Sequence, residues 1–313
     1  MVSIDVCFAE LLADRRNEMV RPPAGVSLTQ VRSAAAAFLC AAKGPTVASV
    51  RNATIAGPGG DDLRLRIYRP TDNDDLPAII FCHGGGFVFG SLETHDALCR
   101  ALAVHSACVI VAVDYRLAPE YPFPSAADDC SAVIPWLTKQ ASALGLRASA
   151  VALAGDSAGA NIAIATALTA RERGISLAHV ALFYPVIDPS CGSPSMGEFG
   201  NGYLLTREAI QWFWECYLPT SSWTDPRARV LTADLRDFPP TTIVTAEFDP
   251  LRDEGEAFAA RLRAALVPVE VHCFTGMIHG FAGLPQLTPQ ADQAAALLGH
   301  ALARSFSEMS PTL

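Results

Sequence analysis

The sequence predicts an α/β fold: a mostly parallel central sheet with helices on both faces. Three observations carry that prediction. Apolar runs of strand length alternate with helical runs over most of the chain. The run Ala150–Ala154 passes through Gly155-Asp156-Ser157-Ala158-Gly159 into Ala160–Arg171, which is rich in Ala, Ile and Leu and free of Gly and Pro. The run Ala78–Cys82 ends in His83-Gly84-Gly85-Gly86-Phe87, which places His83 74 positions ahead of Ser157.

The strand-like runs are, in order, Leu63–Tyr68, Ala78–Cys82, Cys108–Val113, Ala150–Ala154, Ala178–Tyr184, Thr241–Ala246 and Val269–Phe274. Ala78–Cys82 and Ala150–Ala154 are continuously apolar and read as buried strands. Val269–Phe274 alternates polar and apolar. Asp253–Leu266 reads as a helix whose first turn carries acids, where they suit the helix dipole. Two segments stand outside the alternation. Residues 1 to about 47 are helical in character with a break at Pro22-Pro23, and residues 188 to about 235 are rich in Pro, Ser and aromatic rings. No repeat or low-complexity linker divides the chain, so 1–313 is expected to form one domain; large α/β units reach this length.

Gly155-Asp156-Ser157-Ala158-Gly159 fits the G-x-S-x-G pattern of a nucleophile elbow. Composition alone produces such a string at an appreciable rate, and a small-residue turn is the bland reading. The strand before it and the helix after it favour the elbow. A nucleophile at the tip of such a turn has a strained backbone. Its neighbours two positions away approach closely, which Gly155 and Gly159 permit because they lack a Cβ. The following helix points its N-terminus at the site and favours an anionic intermediate. His83-Gly84-Gly85-Gly86 fits the loop that supplies an oxyanion hole, with its glycines folding N–H groups inward.

A serine nucleophile needs a base, and the base needs an orienting carboxylate. Of the seven histidines, His83 belongs to the Gly-rich loop, and His95, His105, His179 and His300 lie in helix or strand bodies. His272 lies inside a strand. His279 sits in a loop after the last strand, where the base of such a site belongs. The acid is expected between Ser157 and His279, just after a strand. Glu247, Asp249, Asp253 and Glu254 compete after Thr241–Ala246. Asp249, at the strand exit and held extended by Pro250, is preferred; Asp253 is the alternative.

These strings resemble the hormone-sensitive-lipase-like family of α/β-hydrolases, especially its microbial carboxylesterases. The matching pieces are His83 to Ser91, Asp114-Tyr115-Arg116-Leu117-Ala118-Pro119-Glu120, Gly155 to Gly159, Asp249-Pro250-Leu251-Arg252-Asp253-Glu254 and His279-Gly280-Phe281. They run in the family's order from about residue 60 to the end. The resemblance implies an α/β-hydrolase fold with Ser157 as nucleophile, Asp249 as acid and His279 as base. It implies oxyanion donors at the N–H groups of Gly84, Gly85 and Ala158, and a helical cap built from about 1–47 and 188–235. Ala160 stands where the family usually has Gly, and Tyr121 where it often has His. Relatives often dimerise, so a homodimer is possible. The implied activity is hydrolysis of short- to medium-chain carboxylic esters through an acyl-enzyme. The alternatives are an amidase, deacetylase or arylformamidase with the same triad, or a non-catalytic binding protein like the gibberellin receptors. Phe87, Phe89, Trp212 and Trp214 are expected to line a narrow pocket. Each buried methylene adds about 0.8 kcal/mol until such a pocket fills, which suggests acyl chains of about four to eight carbons.

Net charge of −9 and a pI near 5.2 argue against nucleic acid or an anionic membrane surface as partner. The longest apolar run, Ala34–Ala42, is too short to span a bilayer. Met1-Val2-Ser3-Ile4-Asp5 lacks the start of a secretory signal. Nine scattered cysteines, with Cys82, Cys108 and Cys273 on expected core strands, read as buried free thiols in a reducing cytoplasm. No C-x-x-C spacing suggests zinc. No metal or cofactor is expected, since triad and oxyanion hole supply the whole reaction.

Overall fold

The computed structural model describes residues 3–40 and 42–308. The expectations that touch Met1, Val2, Ala41 and 309–313 lie outside the described residues. The strands are β1 (Ser49–Ala56), β2 (Asp62–Arg69), β3 (Leu76–Cys82), β4 (Val109–Asp114), β5 (Leu146–Asp156), β6 (Val180–Phe183), β7 (Thr241–Phe248) and β8 (Val269–Ile278). The α-helices are α1 (Ala9–Ala13), α2 (Leu28–Leu39), α3 (Asp96–Ser106), α4 (Ser125–Gln140), α5 (Ala158–Glu172), α6 (Pro194–Phe199), α7 (Arg207–Tyr217), α8 (Arg252–Ala264) and α9 (Gln290–Glu308).

The strands form one eight-stranded sheet in the order β1-β2-β4-β3-β5-β6-β7-β8. Pairing is antiparallel from β1 through β2 to β4 and parallel across the rest. Each expected strand is present. Successive residues of the central strands supply two different cores. Ala78, Ile80 and Cys82 of β3 enter one core with Val151 and Leu153 of β5. Ile79 and Phe81 enter the other with Ala152 and Ala154. A strand buried on both faces has no polar side to show, so it reads as a continuous apolar run.

β1 is the one strand, among the described residues, that the sequence leaves unassigned. It is an edge strand in which Ile55 alone is fully buried, so its sequence carries little apolar signal. Cys82 and Cys108 are buried free thiols, whereas Cys273 is exposed on β8 rather than part of the core. β8 is the other edge of the sheet, and its alternation turns Cys273 outward. Ala160 is fully buried and Tyr121 is exposed.

The two segments outside the alternation meet one another. Met19 donates its N–H to the Leu204 carbonyl, and Thr206 Oγ1 donates to the Met19 carbonyl at 2.6 Å. Arg15 donates to Asn201 Oδ1 at 2.8 Å, and Arg21 pairs with Glu215. Arg32 of α2 then ties the N-terminal segment to the loop after β3, donating to the Val88 carbonyl at 2.8 Å and pairing with Glu120. No helix among the described residues is long and apolar enough to cross a membrane.

Candidate active site

Ser157 sits between β5 and α5 with φ 53° and ψ −117°, a conformation that L residues rarely adopt. Its surroundings require the two flanking glycines. A Cβ on Gly159 would lie 2.0 Å from the Cys82 carbonyl oxygen, and one on Gly155 would lie 2.4 Å from the Gly159 oxygen. The turn is pressed against the end of β3, and this pushes the serine side chain outward.

His279 follows β8 directly. Its Nε2 lies 3.0 Å from Ser157 Oγ and its Nδ1 lies 2.8 Å from Asp249 Oδ2. Asp249 follows β7 and is fully buried, and its other oxygen accepts the Leu251 N–H at 2.8 Å. The Tyr184 ring meets the His279 ring edge-on at 4.8 Å. Three strand exits that are far apart in sequence thus bring Ser157, His279 and Asp249 into one line.

The competing carboxylates each have other partners. Asp253 accepts the Ser195 N–H at 2.8 Å and pairs with Arg252. Glu247 accepts the Gly276 N–H at 2.8 Å. Glu254 accepts the N–H groups of Ile187 and Asp188 at 2.8 and 2.9 Å, and its other oxygen is buried with no partner among the described residues. Burial, reinforced by the charges of Asp188 and Asp249, pushes the Glu254 carboxyl up to about 8, against the effect of those two N–H groups. A carboxyl raised on folding binds its proton more tightly in the folded state, so its contribution is full below the ordinary value near 4.5 and fades as pH rises towards 8. Glu254→Gln is therefore expected to shrink the fall in Tm between about pH 5 and pH 9; an unchanged fall in thermal melts would contradict this role.

The loop after β3 corrects one expectation. The Gly84 N–H is not free to hold an oxyanion, because it donates to Asp156 Oδ1 at 2.8 Å. His95, which stands at the N-cap of α3 rather than in a helix body, places Nε2 3.3 Å from Asp156 Oδ2. Burial raises the Asp156 carboxyl, but His95 and the Gly84 N–H outweigh it and hold the group below the ordinary range. His83 Nδ1 lies 2.8 Å from the Gly84 oxygen, its ring stacks on Tyr115 at 4.2 Å, and Tyr115 donates to the His83 carbonyl at 2.6 Å. Burial, with His95 nearby, pushes His83 down to about 3, so it is neutral near pH 7. The next two N–H groups, of Gly85 and Gly86, have no acceptor among the described residues, nor does that of Ala158. Gly85, Gly86 and Ser157 line one cavity, and Gly86, Ser157 and Ala158 line its neighbour.

The four expected pocket aromatics divide. Phe87 and Trp214 line the cavity with Ala158, and Phe89 lines the cavity with His279. Trp212 lines neither; it faces a larger outer cavity under α2. Successive residues of a helix point about 100° apart, so three aromatic rings in a row cannot share a direction. Phe213, which the sequence reading passes over, lines all three cavities. Among the described residues, no cluster of three or more His, Cys, Asp or Glu side chains is arranged to hold a metal ion.

A family model described as the alpha/beta hydrolase fold matches residues 79–283, which spans β3 to the loop beyond His279. The chain belongs to the alpha/beta hydrolase fold family. Its hydrolase relatives include the carboxylic ester hydrolase LipN of Mycobacterium tuberculosis, 41% identical over 254 residues that cover 78% of this chain and 67% of that one. The ethyl acetate hydrolase of Pseudomonas putida is 37% identical over 250 residues, covering 78% and 79%. Among solved structures, a hyperthermophilic esterase from the archaeon Pyrobaculum calidifontis superimposes with a TM-score of 0.89 at 34% identity, over 96% of this chain and 98% of that chain. These relatives agree with the resemblance to microbial carboxylesterases.

Proposed function

We propose that this alpha/beta hydrolase is a serine carboxylesterase acting on soluble carboxylic esters. The observation that carries the reading is the line from Ser157 Oγ through His279 to Asp249, beside the unengaged N–H groups of Gly85, Gly86 and Ala158. A neutral His279 with its proton on Nδ1 donates to Asp249 and leaves Nε2 to accept the Ser157 proton. Ser157 Oγ then bonds to the ester carbonyl carbon, and the oxygen of that carbonyl takes negative charge. Three N–H groups at the N-terminus of α5 and in the loop after β3 stabilise that charge. His279 returns its proton to the leaving alkoxide, the C–O bond breaks, and an acyl-enzyme remains. Water, deprotonated by the same imidazole, attacks the acyl carbon and regenerates Ser157 with release of the acid.

The segment from about 3 to 47 and the segment 188–235 form the cap in this reading, supported by their contacts at Met19 with Leu204 and at Arg15 with Asn201. The nine free thiols suit a reducing cytoplasm. The test is a matched pair: p-nitrophenyl acetate against the corresponding anilide. Esters are expected to be cleaved at least about 10³ times faster; comparable rates on the anilide would make the protein an amidase.

Asp156 is expected to act through the loop. Removal of one oxyanion donor typically costs about 10²–10³ in turnover. Asp156→Ala frees Gly84 and loosens the loop without removing a donor, so kcat is expected to fall about 10- to 100-fold while KM stays within about twofold. A KM effect with kcat unchanged would place Asp156 in substrate binding instead.

A further inference from the structure

The two sides of Ser157 differ greatly in size, and they belong to different halves of the ester. His279 must hand its proton to the leaving oxygen, so the alcohol half lies on the His279 side. The Gly86 and Ala158 N–H groups that take the oxyanion line the mouth of the cavity beside Ala158, so the carbonyl oxygen is held at that mouth and the acyl half extends past it into the same cavity.

On the His279 side a cavity of about 70 Å³ adjoins an outer cavity of about 510 Å³ across Met19, Leu39, Phe89 and Phe213. The outer cavity is walled by α2 and by Trp212 and is mostly apolar. On the other side, beside Ala158, the cavity is about 20 Å³. On the same measure a single water needs roughly 10–15 Å³. Trp214, Ile210, Leu251 and Val186 close it, and all four are buried. Trp214 cannot swing aside freely, because its ring is packed against Phe87 at 5.3 Å and Tyr217 at 6.1 Å. Phe213 is the partition between the two sides. Its ring lies so close over the Gly86 backbone that a Cβ there would sit 2.5 Å from it.

Building on the carboxylesterase reading, we infer that the substrates are short-acyl esters, acetates and propionates, of large apolar alcohols. The acyl limit is shorter than the four to eight carbons expected from the aromatic residues alone. The chain-length discrimination comes from Trp214 and Ile210 on the acyl side. The outer cavity under α2 holds the alcohol.

Octyl acetate and ethyl octanoate test this directly. They are isomers with the same apolar surface and alkyl leaving groups of similar basicity, and they differ in which half is long. The expected kcat/KM is at least about 100-fold higher for octyl acetate, since a single misfitting methylene in a tight apolar pocket costs roughly 10- to 200-fold. Trp214→Ala and Ile210→Ala are each expected to cut that ratio by about tenfold or more. The ratio is read within one preparation, so partial loss of folded protein cancels. A ratio near one, or one favouring ethyl octanoate, overturns the inference and leaves the esterase reading standing. Hydrolysis of neither ester, by a protein that still cleaves anilides, overturns both.

Discussion

Ser157→Ala is expected to lower ester turnover by about 10⁶, the typical loss when a triad serine is removed. The size of the effect follows from the geometry. Ser157 is held at φ 53° by a turn that leaves no room for a side chain at either flanking glycine. No other hydroxyl is within hydrogen-bonding distance of His279 Nε2 among the described residues. The variant is expected to keep the wild-type Tm within a few degrees, because the serine hydroxyl makes no other hydrogen bond than the one to His279 among the described residues. Steady-state rates on p-nitrophenyl acetate, with contaminating esterase excluded, check it. Retention of more than about one percent of wild-type activity would move the nucleophile elsewhere.

Asp249→Asn is expected to give the second large effect, a fall in kcat of about 10⁴. An amide at this position keeps one acceptor oxygen for two donors, the His279 Nδ1 and Leu251 N–H groups; with its NH2 turned to His279 the imidazole adopts the wrong tautomer, and its charged form loses the carboxylate. Asp253→Asn is the control. Asp253 lies four residues away but faces Ser195 and Arg252, and an acid in the first turn of a helix is worth only about 0.3–1 kcal/mol. The comparison is made at saturating substrate, with circular dichroism confirming that both variants fold. A crippling Asp253→Asn beside a mild Asp249→Asn would reverse the assignment of the acid.

The same comparison shows what the sequence can say. Ser157, Asp249 and His279 are legible because each follows a strand, and a parallel sheet delivers the ends of its strands to one edge. The central strands are legible because burial on both faces makes them continuously apolar. β1 is not legible, since an edge strand with one fully buried side chain carries no such pattern. Gly84 is misread for a different reason. A run of three glycines does not reveal which N–H groups face the site, and the Gly84 N–H is taken by Asp156, 72 positions later. His95 is missed on the same ground. Its partner is 61 positions away, and nothing local marks it as buried. Phe213 is passed over between two larger rings, although the direction of a helical side chain, and not its size, decides whether it reaches the site. The narrow acyl side is likewise a property of how α7 packs on the loop after β3, which no local pattern encodes.

In the carboxylesterase reading, Ser157 carries the acyl group between the two halves of the reaction. Rapid mixing with excess p-nitrophenyl acetate, acid quenching and peptide mass mapping measure it. The predicted result is a burst of p-nitrophenol equal to the enzyme concentration, with one acetyl group on the peptide that contains Ser157. No burst and no acetyl group in wild type, with turnover intact and the same sensitivity shown on an established acyl-enzyme, or an acetyl group on another residue, would contradict it.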